Sequence, residues 1–132
     1  MTGNPNAASV ALIDRDKVLL IQRARAPYFG LWTLPGGRLE PDEDAEACAV
    51  REIAEEVGLR CFALRPIRRM HLGGAGKFVL QVFATEGFEG EIVASDEVTD
   101  YHWVRLDEIG RFKTTDGLRD VLERAFAIFD RT

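Results

Sequence analysis

Glu52, Glu55 and Glu56 stand at spacings i, i+3 and i+4, close enough on a helix for their side chains to reach one another. Projected at about 100° per residue, Ala45, Ala49, Ile53 and Val57 form one narrow apolar stripe, the side a helix turns to its core. Glu56 falls inside that arc, Glu52 lies on its edge and Glu55 is one step further round. A carboxylate turned toward a protein interior needs pairing or a metal, because desolvating an unpaired charge is very costly. Three converging carboxylates also repel one another. A hard divalent cation with oxygen ligands resolves both conflicts, and Mg²⁺ or Mn²⁺ is the natural choice. The competing reading is a solvated, charge-rich helix face without metal, the usual role of a charge run. Glu56 inside the apolar arc argues against it.

Arg51 lies four residues before Glu55, so its planar fork can hold a carboxylate's orientation. The whole segment from Gly37 to Leu59 reads Gly-x5-Glu-x7-Arg-Glu-Ile-x-Glu-Glu-x-Gly-Leu, with Glu43 as its first acid and Gly58 near its end. It resembles the Nudix box, the signature of hydrolases that cleave nucleoside diphosphates linked to another moiety. The flanks extend the likeness: Leu34-Pro35-Gly36-Gly37 leads into the box, and Glu97 to Leu106 resembles the family's acidic stretch followed by Trp-Val-x-Leu. Asp42 departs from the pattern, standing where relatives often have glycine.

The resemblance implies a metal-dependent attack of water on phosphorus, in which positioning and electrostatic stabilisation carry most of the work. It assigns Glu52 and Glu56 as ligands and adds the backbone carbonyl of Gly36. Glu55 is either a further ligand or the group that takes the water's proton. Catalysis then falls to Glu52, Glu55 and Arg51, while Gly37, Glu43 and Gly58 give the box its shape. Outside the box, Glu97 sits where several relatives supply an extra ligand or base, and its plain alternative is a surface acidic turn. Arg23 reads as a phosphate contact or a strand-end surface charge. Trp32 and Phe29 could stack on a base, although a core or rim aromatic is the plainer reading. His102 reads as a strand residue. Gly73-Gly74-Ala75-Gly76-Lys77 lacks the phosphate-loop spacing, since His71 and Phe78 stand where Gly and Ser or Thr are needed. It reads as a hairpin loop.

The substrate class implied is ADP-ribose or a similar nucleotide sugar. A nucleoside triphosphate, normal or oxidised, is the alternative within the same chemistry. A nucleotide-sensing domain without turnover is the alternative of another class, and it would tolerate erosion of the glutamates, all of which are present.

Elements to position these groups can be read along the chain. Ala8 to Ile13 and Val18 to Arg23 form a hairpin around Asp14-Arg15-Asp16-Lys17. Leu31 to Leu34 is a short strand stopped by Pro35-Gly36-Gly37. The box helix starts after Asp44 as N-cap and ends at Val57, with Gly58 free to take positive φ. Phe62 to Met70 reads as one strand, made an edge or bulged strand by Pro66. Lys77 to Thr85 and Tyr101 to Val104 read as further strands, Leu106 to Arg111 as a helical turn, and Leu118 to Phe129 as a closing helix. Pattern alone gives an α+β chain with a mixed sheet. The resemblance implies the Nudix fold, an α/β/α sandwich over residues 1–132 as a single domain.

At 132 residues the chain suits one domain with a real core. A formal charge of −5 argues against polymeric nucleic acid, whose binding needs basic surface. A small phosphorylated molecule must then be received by local arginines, backbone amides or cations. No apolar run reaches membrane-spanning length and the N-terminus lacks a secretory pattern, so a cytoplasmic protein is expected. Cys48 and Cys61 have no metal or redox spacing and read as reduced core thiols. Many relatives are dimers, so the resemblance admits a homodimer.

Overall fold

A computed structural model describes residues 4–26, 28–72 and 78–130. Its strands are β1 (Ala7–Asp14), β2 (Lys17–Arg23), β3 (Trp32–Thr33), β4 (Gly36–Arg38), β5 (Arg60–Phe62), β6 (Arg65–Leu72), β7 (Phe78–Thr85), β8 (Gly87–Glu89) and β9 (Val98–Arg105). Two helices, α1 (Ala45–Val57) and α2 (Leu118–Ile128), and a 3₁₀ helix at Leu106–Arg111 complete the elements of the described residues.

The main sheet runs β3-β2-β1-β7-β6, with β4 also on β1 and β9 also on β2. Among the described strand pairs of this sheet, β1 and β7 run parallel and the others antiparallel. β1 is therefore the central strand, and its sequence shows why. Side chains alternate across a strand: Ala8, Val10 and Leu12 enter one core, while Ala11 and Ile13 enter the other. Buried on both faces, the strand reads as a near-continuous apolar run. Cys48, Ala49, Ile53 and Val57 of α1 cover the first face. Leu118, Val121, Leu122 and Ala125 of α2 cover the second. This is the α/β/α sandwich with a mixed sheet.

One edge of β1 belongs to β7 throughout. The other is shared: Ala7 to Ser9 pair with β4, whereas Ile13 and Asp14 pair with β2. That division splays the sheet and brings Gly36 opposite Ser9, beside α1.

The α1 boundaries follow the sequence. Asp44 accepts the Ala47 amide at 2.7 Å, and Gly58 takes φ 74° while its N–H closes onto the Ala54 carbonyl. A residue with a Cβ would be strained there. Three expectations need correction. Phe62 to Met70 is not one strand: Ala63 adopts φ 55°, so β5 peels off to pair with β8 and only β6 joins the main sheet. Gly36-Gly37 does not merely end a strand but enters one, β4. The last strand begins at Val98, because all of β2 needs a partner on that side. Pro66 behaves as expected, at a register shift in the edge strand β6. Lys77 and the Gly73 to Lys77 loop lie outside the described residues. None of the described helices is long and apolar enough to cross a membrane.

Candidate active site

The carboxylates of α1 part company in the folded chain. Glu56 is 2% exposed, Glu52 is largely covered, and Glu55 is more than half exposed. Glu56 Oε1 accepts the Gly36 amide at 3.1 Å. Its other oxygen, Oε2, is buried without a hydrogen bond, and the nearest cation is Arg23 Nη1 at 3.8 Å. Arg23 Nε is likewise buried and unsatisfied. Burial raises the Glu56 carboxyl to about 7, only partly offset by the Gly36 amide and Arg23. Burial also raises Glu52. Glu52 and Glu97 lie close enough to add repulsion at Glu56.

Arg51 organises the rest. Its Nε and Nη2 grip Glu43 at 2.7 and 2.8 Å, and its Nη1 reaches Glu52 at 3.0 Å and Glu55 at 2.8 Å. Nη2 also donates to the Arg38 carbonyl, tying α1 to β4. Hydrogen bonds from Arg51 hold the Glu43 carboxyl down at about 2. Gly37 faces the Glu52 carboxylate so closely that a Cβ there would fall inside it. The glycine is what admits the acid.

These features test whether the residues fit a divalent cation. Among the described residues, no three His, Cys, Asp or Glu side chains form a ready cluster, and Glu55 is committed to Arg51. What remains is two partly desolvated carboxylates, one with an unsatisfied buried oxygen, beside the β4 backbone. That is the donor set Mg²⁺ accepts, because it keeps waters and takes one or two carboxylates together with substrate phosphates. The residues fit the metal.

Beside this acidic wall lies a cleft of about 460 Å³ between the β4 side of the sheet and the start of α2. Arg23, Gly36 and Gly37 line one part of it, and Tyr28, Thr33, Thr115 and Asp116 line others. Trp32 does not line it. Its ring packs on Phe112 and His102, at 5.0 and 5.4 Å between centroids. Phe29 is exposed outside the cleft lining. Glu97 is held by its backbone, which accepts the Ala24 amide at 3.0 Å next to Arg23. Asp96 pairs with Arg25 instead. Sequence reasoning did not single out Tyr28 or Asp116; the Thr114-Thr115-Asp116-Gly117 turn was readable, but not its destination. Cys48 and Cys61 are buried, and burial pushes both thiols up to about 11, so they behave as inert core groups.

A NUDIX domain model matches residues 3–125. The chain belongs to the NUDIX family. Among solved structures, the MutT NUDIX hydrolase of Burkholderia pseudomallei superposes with a TM-score of 0.82 at 30% identity, covering 92% of this chain and 98% of that one. An isopentenyl-diphosphate Delta-isomerase of Roseobacter denitrificans is 38% identical over 116 residues, 78% of this chain and 65% of that protein. An ADP-ribose pyrophosphatase of Methanocaldococcus jannaschii is 32% identical over 115 residues, 80% of this chain and 65% of that protein. The chain thus spans just under two thirds of the length of either of these two relatives.

Proposed function

We propose that this NUDIX chain hydrolyses the pyrophosphate bond of a nucleoside diphosphate linked to another moiety, with Mg²⁺ or Mn²⁺ bound. The observation that carries it is the unsatisfied Oε2 of Glu56, buried beside Glu52 and Arg23. A protein keeps such an atom at a cost, and a cation or a cation-bound phosphate relieves it.

In this reading Glu52, Glu56 and the Gly36 carbonyl hold the metal, and Glu55 takes the proton of the attacking water or serves as a further ligand. A bound divalent cation lowers the pKa of a coordinated water and neutralises phosphoryl charge. Arg51 orients Glu52 and Glu55 through its fork. Arg23, with a buried Nε lacking a partner, meets a phosphate oxygen at the cleft's acidic end. Glu97 adds a carboxylate from the segment beside Arg23. ADP-ribose and nucleoside triphosphates share the part this site would read: base, ribose and diphosphate. The ADP-ribose pyrophosphatase among the relatives supports the first. The isomerase relative acts, by its name, on a diphosphate without a base, and the arginines here would receive that group as well.

Purified protein incubated with Mg²⁺ and a panel of ADP-ribose, the four nucleoside triphosphates and isopentenyl diphosphate is the test. Release of a nucleoside monophosphate supports the proposal. No cleavage of any pyrophosphate leaves a nucleotide-sensing domain, and double-bond migration in isopentenyl diphosphate alone would replace hydrolysis by isomerisation.

A further inference from the structure

Glu97 approaches Glu52 and Glu56 closely enough to repel both. In the metal-free chain that repulsion drives the exposed Glu97 side chain outward, so its backbone must be held. Ser95 holds it from one side, donating its amide to the Glu56 carbonyl at 2.9 Å and accepting the Glu97 amide on Oγ at 3.3 Å. The Arg25–Asp96 ion pair adds little, because both of its side chains are largely exposed.

The other side is fixed by a bulge. Gln22 pairs with Asp100 but Arg23 pairs with Val98, so Thr99 is an extra residue in β9. The bulge is why Val98 and Trp103 reach the same core, an odd separation that strict alternation forbids. Without it the ladder would set Val98 opposite Ala24, carry Glu97 past that position and take Val98 out of the α1 core. With it, the Glu97 carbonyl accepts the Ala24 amide at 3.0 Å. Gln22 closes the bulge with its side chain. Its Oε1 accepts the Thr99 hydroxyl at 2.9 Å, and its Nε2 donates to the Gly30 carbonyl at 3.1 Å. A carbonyl only accepts, so Gly30 fixes which end of the amide faces Thr99. Gly30, at φ 81°, donates in turn to the Arg23 carbonyl at 2.8 Å. One half-buried amide thus joins the end of β2, the start of β9 and the chain returning to β3.

We infer that Gln22 is a positioning residue, whose bonds to Thr99 and Gly30 lock this bulge and so hold Glu97 beside Glu52 and Glu56. The inference rests on the reading above in which Glu97 adds a carboxylate to the reacting site. Gln22 itself touches neither substrate nor metal; it acts through the backbone of β9.

Amide hydrogen exchange on the metal-free protein reads the lock directly. Gln22→Ala should speed exchange at Ala24 and Gly30 about tenfold or more, the scale of one lost hydrogen bond, and leave the β1–β7 ladder as protected as before. Thr99→Val should have the same effect at Ala24, whereas Thr99→Ser, which keeps the hydroxyl, should restore protection. In turnover with Mg²⁺, Gln22→Ala should lower kcat about tenfold, the scale of a small misplacement of a reacting group. In a Glu97→Gln background the same change should cost little more, because the group it positions is already gone. A general structural role would cost as much in both backgrounds and would loosen the β1–β7 ladder as well. Unchanged exchange at Ala24, no recovery in Thr99→Ser, or additive losses in the double variant would each overturn the assignment. Exchange is read without metal or substrate, so a protein that cleaves no pyrophosphate would sink the reaction proposed above while the lock is still decided.

Discussion

Gly36 donates its backbone N–H to Glu56 Oε1 at 3.1 Å, across twenty residues and two elements. That bond places the turn entering β4 against the most buried acid of α1, and leaves the second oxygen of Glu56 without a hydrogen bond. Glu56→Gln keeps an acceptor for Gly36 but removes the charge that a cation needs. Turnover should fall by roughly two orders of magnitude or more while the circular dichroism spectrum stays that of the wild type. A rate within a few-fold of the wild type would remove Glu56 from the metal site.

The same acid makes stability depend on pH. Burial raises Glu56 from 4.5 to about 7, so between those values the folded chain holds a proton that the unfolded chain has lost. Its contribution is full below 4.5, declines as pH rises toward 7 and is flat above, a change of about 3 kcal/mol. Glu43 acts in the opposite sense: held at about 2 by Arg51, it stabilises above 4.5 and loses that effect as pH falls toward 2. Melting the chelated protein across pH 2 to 9 should therefore give a maximum near pH 4.5, with Glu56→Gln flattening only the upper slope. A wild-type profile level from 4.5 to 7 would contradict the burial argument.

Gly37→Ala tests the close approach of β4 to Glu52. The added Cβ would occupy the space of the Glu52 carboxylate, which must turn away or push β4 off α1. Mn²⁺ affinity measured by calorimetry should drop about tenfold or more, the scale seen when ligand orientation is disturbed. Unchanged affinity would mean that Glu52 is not a ligand.

How far these features could be read from the chain follows from how local their causes are. α1 was legible from end to end, because the Asp44 cap, the apolar stripe and Gly58 are signals within one turn of their effect. So was the anomaly of Glu56, since the helical projection alone puts it in the core. β4 was not legible. Gly-Gly-Arg carries no strand propensity, and the segment is a strand only because Ala7 to Ser9 present an open edge to it. The choice between the two readings of Trp32 was not legible either, for a related reason. Its packing is decided by residues 112–115 returning beside it, where Trp32 donates its amide to the Lys113 carbonyl and accepts from Thr115. Tyr28 and Asp116 become neighbours of one cleft only through the sheet, so no spacing in the sequence could pair them.

Arg51 offers the sharpest separation of charge from geometry. Five of its nitrogen–oxygen contacts reach Glu43, Glu52, Glu55 and the Arg38 carbonyl between 2.7 and 3.0 Å, and each depends on the fork. Arg51→Lys keeps the positive charge but offers one compact ammonium, which cannot span Glu43 and Glu55 together. If orientation of the carboxylates is what Arg51 supplies, the lysine variant should lose about ten- to a hundredfold in kcat with little change in KM. Its melting temperature should fall as well, because Glu43 loses its bidentate partner. Charge alone as the requirement would instead leave kcat near the wild-type value, and steady-state kinetics on whichever nucleotide the panel selects decides between the two.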